Sequence, residues 1–188
     1  MEKISWQSIK SGDEEVYKNL YTFYFKKFYN YGRKFTGDIT LIEDCIQEVF
    51  LEIWTKRKKI DEINTPDSYF LSTFRYMLLK KLKQAVNQIE LDQLDEEPNF
   101  FLNAEQPVDI DPDLKQKLQD ALNHLTPRQR EAIFLRFYEG LAYEEVASVL
   151  NISIKATYKI MARSLQALKK NLSVPFLTLF LLLRLVNL

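Results

Sequence analysis

The sequence predicts an all-α protein: two small helical domains joined by an acidic linker, the second carrying a helix-turn-helix. Three observations predict it. Apolar residues recur at helical spacing along nearly the whole chain, with almost no strand-like alternation. Only four Gly and six Pro punctuate 188 residues, which favours long helices. Charge is also segregated. Lys56 to Lys83 holds eight basic and three acidic residues, Thr126 to Lys170 eight and four, and Glu90 to Asp113 nine acidic and no basic. The net charge of zero therefore hides two basic blocks flanking an acidic one, and local patches rather than the sum attract a polyanion. The expected layout is a first domain over 8–88, a linker over 89–113, a second domain over 114–171 and an apolar tail over 172–188.

The first helix is expected to start near Ser11, whose hydroxyl caps it, with Asp13, Glu14 and Glu15 at the positive end of the dipole. It runs to about Phe35. Tyr17, Tyr21, Phe23, Tyr24, Phe25, Phe28, Tyr29 and Tyr31 nearly encircle it, so some rings should face another element or a partner. After Gly37, a second helix spans about Thr40 to Lys58. Leu41, Ile42, Cys45, Ile46, Val49, Phe50, Ile53 and Trp54 form its buried face. Glu43, Asp44, Gln47, Glu48 and Glu52 occupy the opposite face, which serves either plain solvation or docking. A basic loop, Lys56 to Asn64, includes Lys58 and Lys59.

Thr65 as cap and Pro66 at the first position start a third helix. Its buried stripe is Tyr69, Phe70, Thr73, Phe74, Met77, Leu78 and Leu82. Ser72, Arg75, Tyr76, Lys80 and Lys83 lie opposite. Cations around an aromatic ring suit phosphates and unstacked bases, the alternative being a solvated basic face. The segment from Glu90 to Asp113, with Pro98, Pro107 and Pro112, reads as a linker from which Phe100, Phe101 and Leu102 can dock transiently.

A helix over Leu114 to Leu125 opens the second domain. Thr126-Pro-Arg-Gln129 is a strong start signal: Thr cap, Pro first, Gln third in a capping box. That helix stops at Gly140. The next, Tyr143 to Leu150, turns Val146, Ala147 and Leu150 inward, and small Ala147 lets the following helix cross closely. Asn151 suits the left-handed turn, Ile152 plugs it, and Ser153 caps the last helix. On that helix Ile154, Thr157, Met161, Leu165 and Leu168 cluster on a packing side. Lys155, Ala156, Lys159, Arg163 and Gln166 cluster on the other. Such a face can enter the major groove N-terminus first, Arg and Gln reading base edges and Lys holding phosphates. Arg128, Arg130 and Arg136 on the preceding helix are candidates for backbone contacts, and Ser153 for a further DNA contact.

Several classes are excluded. One cysteine, Cys45, permits no internal disulfide and no zinc cluster, and one histidine, His124, leaves no His-based catalytic set. No nucleotide loop, metal spacing or nucleophile motif is present, so neither an enzyme, a cofactor nor a small-molecule substrate is expected. The polar N-terminus lacks an apolar signal core, which with the lone cysteine points to the cytoplasm.

Two blocks carry a family resemblance. Gly140-Leu-Ala-Tyr-Glu-Glu-Val-Ala-Ser-Val-Leu-Asn-Ile-Ser-Ile-Lys155, preceded by Leu125-Thr-Pro-Arg-Gln-Arg130, resembles region four of extracytoplasmic-function (ECF) sigma factors. Ile42-Glu-Asp-Cys-Ile-Gln-Glu-Val-Phe-Leu-Glu-Ile-Trp54 resembles their region two, and Ser11-Gly-Asp-Glu-Glu15 the entry to its first helix. The pair, in order, covers about 160 residues. The resemblance implies a bacterial initiation factor whose partners are core RNA polymerase and promoter DNA, with an anti-sigma factor as a further candidate. It implies polar contacts to the polymerase clamp from Asp44, Gln47 and Glu48, with Glu43, Leu51 and Glu52 on the same surface, while Phe50 and Trp54 hold the core. It assigns the basic loop and the Ser72 to Lys83 face to capture and melting of the −10 element, and the last helix to the −35 duplex. Two departures stand out. Arg75-Tyr76 and Lys80 replace an Arg-Asn pair and an Asp common in the family, and Ile160 sits where an Arg is common.

The tail, Pro175 to Val186, is shorter than the ~20 apolar residues of a membrane span and is interrupted by Arg184. It is expected to pack on the second domain, to restrain the free protein by covering DNA-binding surface, or to bind a partner. The rival readings are a stand-alone helix-turn-helix regulator and a helical scaffold. The first leaves the N-terminal block unused and the second leaves the basic faces unexplained.

Overall fold

The computed structural model describes residues 6–58, 66–87, 98–102 and 112–172. The chain divides into two units, Met1–Asp95 and Glu96–Leu188. Among the described residues every regular element is a helix, as the residue spacing predicts. The loop at 59–65, which contains Lys59 and Thr65, lies outside the described residues, as do most of the acidic segment and the tail after Leu172.

In the first unit a short α1, Trp6–Ser11, precedes α2, Glu14–Gly32. The expected single start at Ser11 is corrected here. Ser11 ends α1, its hydroxyl donating back to the Ser8 carbonyl. Gly12 then turns at φ +87°, a left-handed conformation that glycine adopts without strain. Asp13 is the cap, its carboxylate accepting from the backbone N–H groups of Glu15 and Val16 at 3.1 Å each. Asp38 caps α3, Ile39–Lys56, through the Leu41 N–H. The fourth helix, α4, spans Pro66–Asn87.

The aromatic density of α2 is resolved by packing. Tyr24, Phe28 and Tyr31 are buried and meet the buried rings of α4: Phe28 stacks on Phe74 at 4.7 Å with planes 3° apart, and Tyr24 lies 4.5 Å from Phe70. Each such pair adds about 0.5–1.5 kcal/mol beyond its buried area. Tyr17 and Tyr21 instead turn to α3, with Tyr21 4.8 Å from Phe50 and the Tyr17 hydroxyl donating to the Phe50 carbonyl. The expected buried face of α3 is observed at Ile42, Cys45, Ile46, Val49, Phe50 and Ile53. On α4 the buried positions are Phe70, Leu71, Phe74 and Leu78. Tyr69, Thr73, Met77 and Leu82 are only half-buried, so the core stripe is narrower than expected and takes in Leu71. Gly32 sits where the three helices converge. A Cβ there would lie 3.0 Å from Ile42 and 3.2 Å from Phe74. At the start of α4, Asp67 accepts from the Tyr24 hydroxyl and the Lys27 ammonium, tying α2 to α4.

In the second unit, α5 spans Pro112–Asn123, two residues earlier than expected. The Thr126–Gln129 capping box forms on both sides, at 3.3 and 2.9 Å, and starts α6, Pro127–Ile133. That helix continues through one π-helical segment, Phe134–Tyr138, and turns at Gly140 with φ +73°. Then come α7, Tyr143–Leu150, and α8, Ile154–Leu172. The core gathers Leu118 and Leu122 of α5, Ile133 at the end of α6, Phe134 of the π-helical segment, Val146 and Leu150 of α7, and Met161 and Leu168 of α8. Part of the presumed linker belongs to this core. Phe100 and Leu102 are fully buried while Phe101 between them is half exposed. Phe100 packs edge-on against Phe134 at 5.7 Å. An extended segment that alternates in and out like this is a docked strap, not a transient contact.

Candidate nucleic-acid interface

The turn between α7 and α8 positions the candidate reading helix. Asn151 adopts φ 51°, ψ 53°, the left-handed region that its short polar side chain tolerates. The next N–H, of Ile152, closes on the Ala147 carbonyl at 3.0 Å, and Ala147 is buried at the crossing. Ser153 is exposed, and its hydroxyl accepts from the Ala156 N–H at 3.2 Å, capping α8.

Thr157, Met161, Ser164, Leu168 and Leu172 face inward. Lys155, Tyr158, Lys159, Ala162, Arg163 and Gln166 are exposed, an arc of about 140° at 100° per residue. Four of the five residues expected on this face are there, while Ala156 is half-buried at its edge. Ile154 is corrected: it is the first residue of α8 and is 45% exposed rather than part of the packing side. Tyr158, half exposed, was missed although the same helical wheel contains it 60° from Lys155; its aromatic character reads as core. Its ring stacks on Tyr143 of α7 at 4.5 Å, and Arg136 lies over the other ring of the pair, 5.1 Å from the Tyr143 centroid.

The three arginines of the preceding helix differ. Arg128 is half-buried. Arg136 also donates to the Leu141 carbonyl at 2.7 Å. Arg130 is committed inward: Nε donates to the Phe100 carbonyl at 2.6 Å, and one terminal nitrogen to Leu125 at 2.8 Å and Asn123 at 3.4 Å. Burial lowers its pKa from the ordinary value. Its place is as the clasp on the strap, because the three carbonyls converge where a fork of donors fits.

In the first unit two surfaces match the expected faces. On α4, Tyr76 is 68% exposed, with Lys80 and Lys83 exposed and Arg75 half-buried. Lys58 is exposed after α3. On α3, Asp44, Gln47, Glu48 and Leu51 are exposed within an arc of about 100°, flanked by half-buried Glu43 and Glu52. Leu51, 66% exposed amid acidic neighbours, is the apolar centre of that face. Glu48 accepts from Lys81 of α4 at 2.7 Å, and that hydrogen bond raises the Lys81 pKa. Glu52 pairs with Lys56 one turn on. Beside this face, Glu14, Tyr17, Tyr21, Gln47, Phe50, Leu51 and Trp54 line an open groove. The contribution of Tyr17 and Tyr21 could not be read from α3 alone.

Among the described residues no helix is long and apolar enough to cross a membrane, and no group of three metal-ligating side chains gathers.

Comparison with known proteins agrees with both blocks. Residues 20–87 match the family model "Sigma-70 region 2", and residues 115–168 match "Sigma-70, region 4". The ECF RNA polymerase sigma factor SigK of Mycobacterium tuberculosis is 23% identical over 171 residues, 86% of this chain and 88% of its own. SigX of Bacillus subtilis, also an ECF RNA polymerase sigma factor, is 23% identical over 166 residues, 86% of each chain. The fold matches that of the sigma factor RpoE of Bartonella quintana, solved with the anti-sigma factor NepR, at a TM-score of 0.61 and 18% identity over 84% of this chain and 97% of that one. The two matched regions in order, together with relatives matched over 86% of the chain, place the chain among the ECF sigma factors, initiation subunits that direct RNA polymerase to promoters.

Proposed function

We propose how the surfaces divide that work. The α8 face, Lys155, Lys159, Arg163 and Gln166 with Ser153 and the edge residue Ala156, enters the major groove of the −35 duplex. Arg128 and Arg136 contribute contacts to the flanking phosphates. On α4, Arg75, Tyr76, Lys80 and Lys83, with Lys58 and Lys59 nearby in sequence, hold the −10 strand as it opens. Unstacking costs a few kcal/mol per base. The exposed Tyr76 ring offers a stacking platform that offsets part of it, and the lysines neutralise phosphates. Asp44, Gln47, Glu48 and Leu51, flanked by Glu43 and Glu52, dock on core polymerase, Leu51 being the apolar centre within an acidic rim.

The observation that carries this reading is the exposed basic arc of α8 on a helix-turn-helix whose left-handed turn and caps are formed. The chain acts without itself catalysing a reaction, and it works in the cytoplasm, where polymerase and promoter are. An anti-sigma factor is a further partner, supported by the RpoE–NepR complex to which the fold is similar.

The test is reconstitution with core polymerase, followed by run-off transcription on genomic promoter fragments. The expected result is a stable complex and promoter-specific transcripts. Neither complex nor transcript would overturn the reading, and DNA binding without core would favour a stand-alone regulator.

A further inference from the structure

Two large exposed apolar side chains border the basic face of α8. Ile154 is 45% exposed and Tyr158 50% exposed, one helical turn apart on the same edge of α8. Both lie to one side of Lys155, at the end of the helix that would go deepest into the groove. Tyr158 is not a loose surface ring. It lies nearly parallel to Tyr143, at 4.5 Å with planes 22° apart. Tyr143 is in turn covered by the Arg136 guanidinium, which the Leu141 carbonyl holds at 2.7 Å. Two side chains from the two preceding helical segments, Tyr143 and Arg136, thus fix the orientation of the Tyr158 ring at the groove edge, and a fixed ring loses little freedom on binding.

We infer that Ile154 and Tyr158 form an apolar reading edge that selects thymine through its 5-methyl group, with Tyr143 and Arg136 as positioning residues. The chemistry follows from what the major groove displays. Among the base edges, only thymine presents a methyl group, and apolar side chains recognise it by contact. Lysines beside it supply phosphate attraction but do not distinguish bases. This inference rests on the −35 reading proposed above.

The experiment uses holoenzyme assembled from the full chain and core polymerase, selecting duplexes from a library randomised across the −35 region. The wild-type protein should enrich a motif containing thymine at one or two fixed positions. Tyr158→Ala should lose thymine preference there and leave the remaining motif intact. Tyr158→Phe keeps the ring and should retain the preference, and Tyr143→Ala should weaken it at the same position. Replacing that thymine by deoxyuridine, which lacks only the methyl, should weaken wild-type binding about fourfold and leave Tyr158→Ala unaffected. An unchanged motif in Tyr158→Ala, or equal binding of thymine and deoxyuridine by the wild type, overturns the inference while leaving the −35 reading standing. No enriched motif with wild-type holoenzyme overturns both.

Discussion

Replacing Arg130 by Met keeps an aliphatic stem and removes the guanidinium. Two strong hydrogen bonds are then lost, to Phe100 at 2.6 Å and Leu125 at 2.8 Å, and a marginal one to Asn123 at 3.4 Å. A bond to a charged donor contributes about 1.5–3 kcal/mol net. Arg130 is half-buried, so water replaces part of what is lost, and the expected cost is about 2 kcal/mol for the substitution. The loss falls on the second unit alone. Both tryptophans, Trp6 and Trp54, lie in the first unit, so tryptophan fluorescence is blind to it. Native-state hydrogen exchange resolves it: amides of α5 to α8 should exchange about thirtyfold faster, at 1.4 kcal/mol per tenfold, with α2 to α4 unchanged. Binding to promoter DNA, at a temperature where both proteins are folded, should keep its salt dependence. Unchanged protection with a salt slope reduced by about one unit would refute the clasp and make Arg130 a phosphate contact instead.

Other outcomes follow from the same geometry. Gly32→Ala should destabilise the first unit by about 1–3 kcal/mol, because the new methyl meets Ile42 and Phe74 in a filled core; a Trp54 fluorescence melt at or above the wild-type midpoint would contradict this. Lys159→Ala should lower the salt slope of −35 duplex binding by about one unit, read by titration at several ionic strengths, and an unchanged slope removes it as a phosphate contact; Arg163→Ala should weaken binding by about 1–3 kcal/mol and relax the preference at one base pair, and an unchanged preference removes it as a base reader. Cys45 is buried, and burial pushes its thiol from an ordinary 9.0 up to about 11. The neutral thiol therefore stabilises the fold fully below the unfolded pKa, and that contribution is lost as pH rises from about 9 to about 11. The stability difference between wild type and Cys45→Ala should shrink across that window in denaturation series. A constant difference would mean that the thiol titrates alike in both states.

The helices and their caps were legible because their causes are local. Apolar spacing, the Thr126–Gln129 box, Asn151 in its turn and Ser153 before α8 all act within four residues along the chain. The two exposed faces were legible for the same reason, since a helix wheel needs only its own sequence. The start of α2 was misread between Ser11 and Asp13 because both can cap, and the turn at Gly12 decided between them.

What a side chain is free to do was decided elsewhere. Arg130 could be read as a DNA contact until Phe100, thirty residues upstream, was found to take its guanidinium. The strap at 98–102 looked like linker because its composition is a linker's, and only the folded second unit buries Phe100, against Phe134, and Leu102, whose carbonyl accepts from Gln119. The exposure of Tyr158 and its stacking on Tyr143 depend on α7, which the sequence of α8 does not contain. The sequence by itself determined the helices, their faces and the pairing of two recognisable regions. Tertiary structure alone decided which cations and rings remain for a partner, because availability depends on partners brought together across the fold, and helical periodicity carries no information about them.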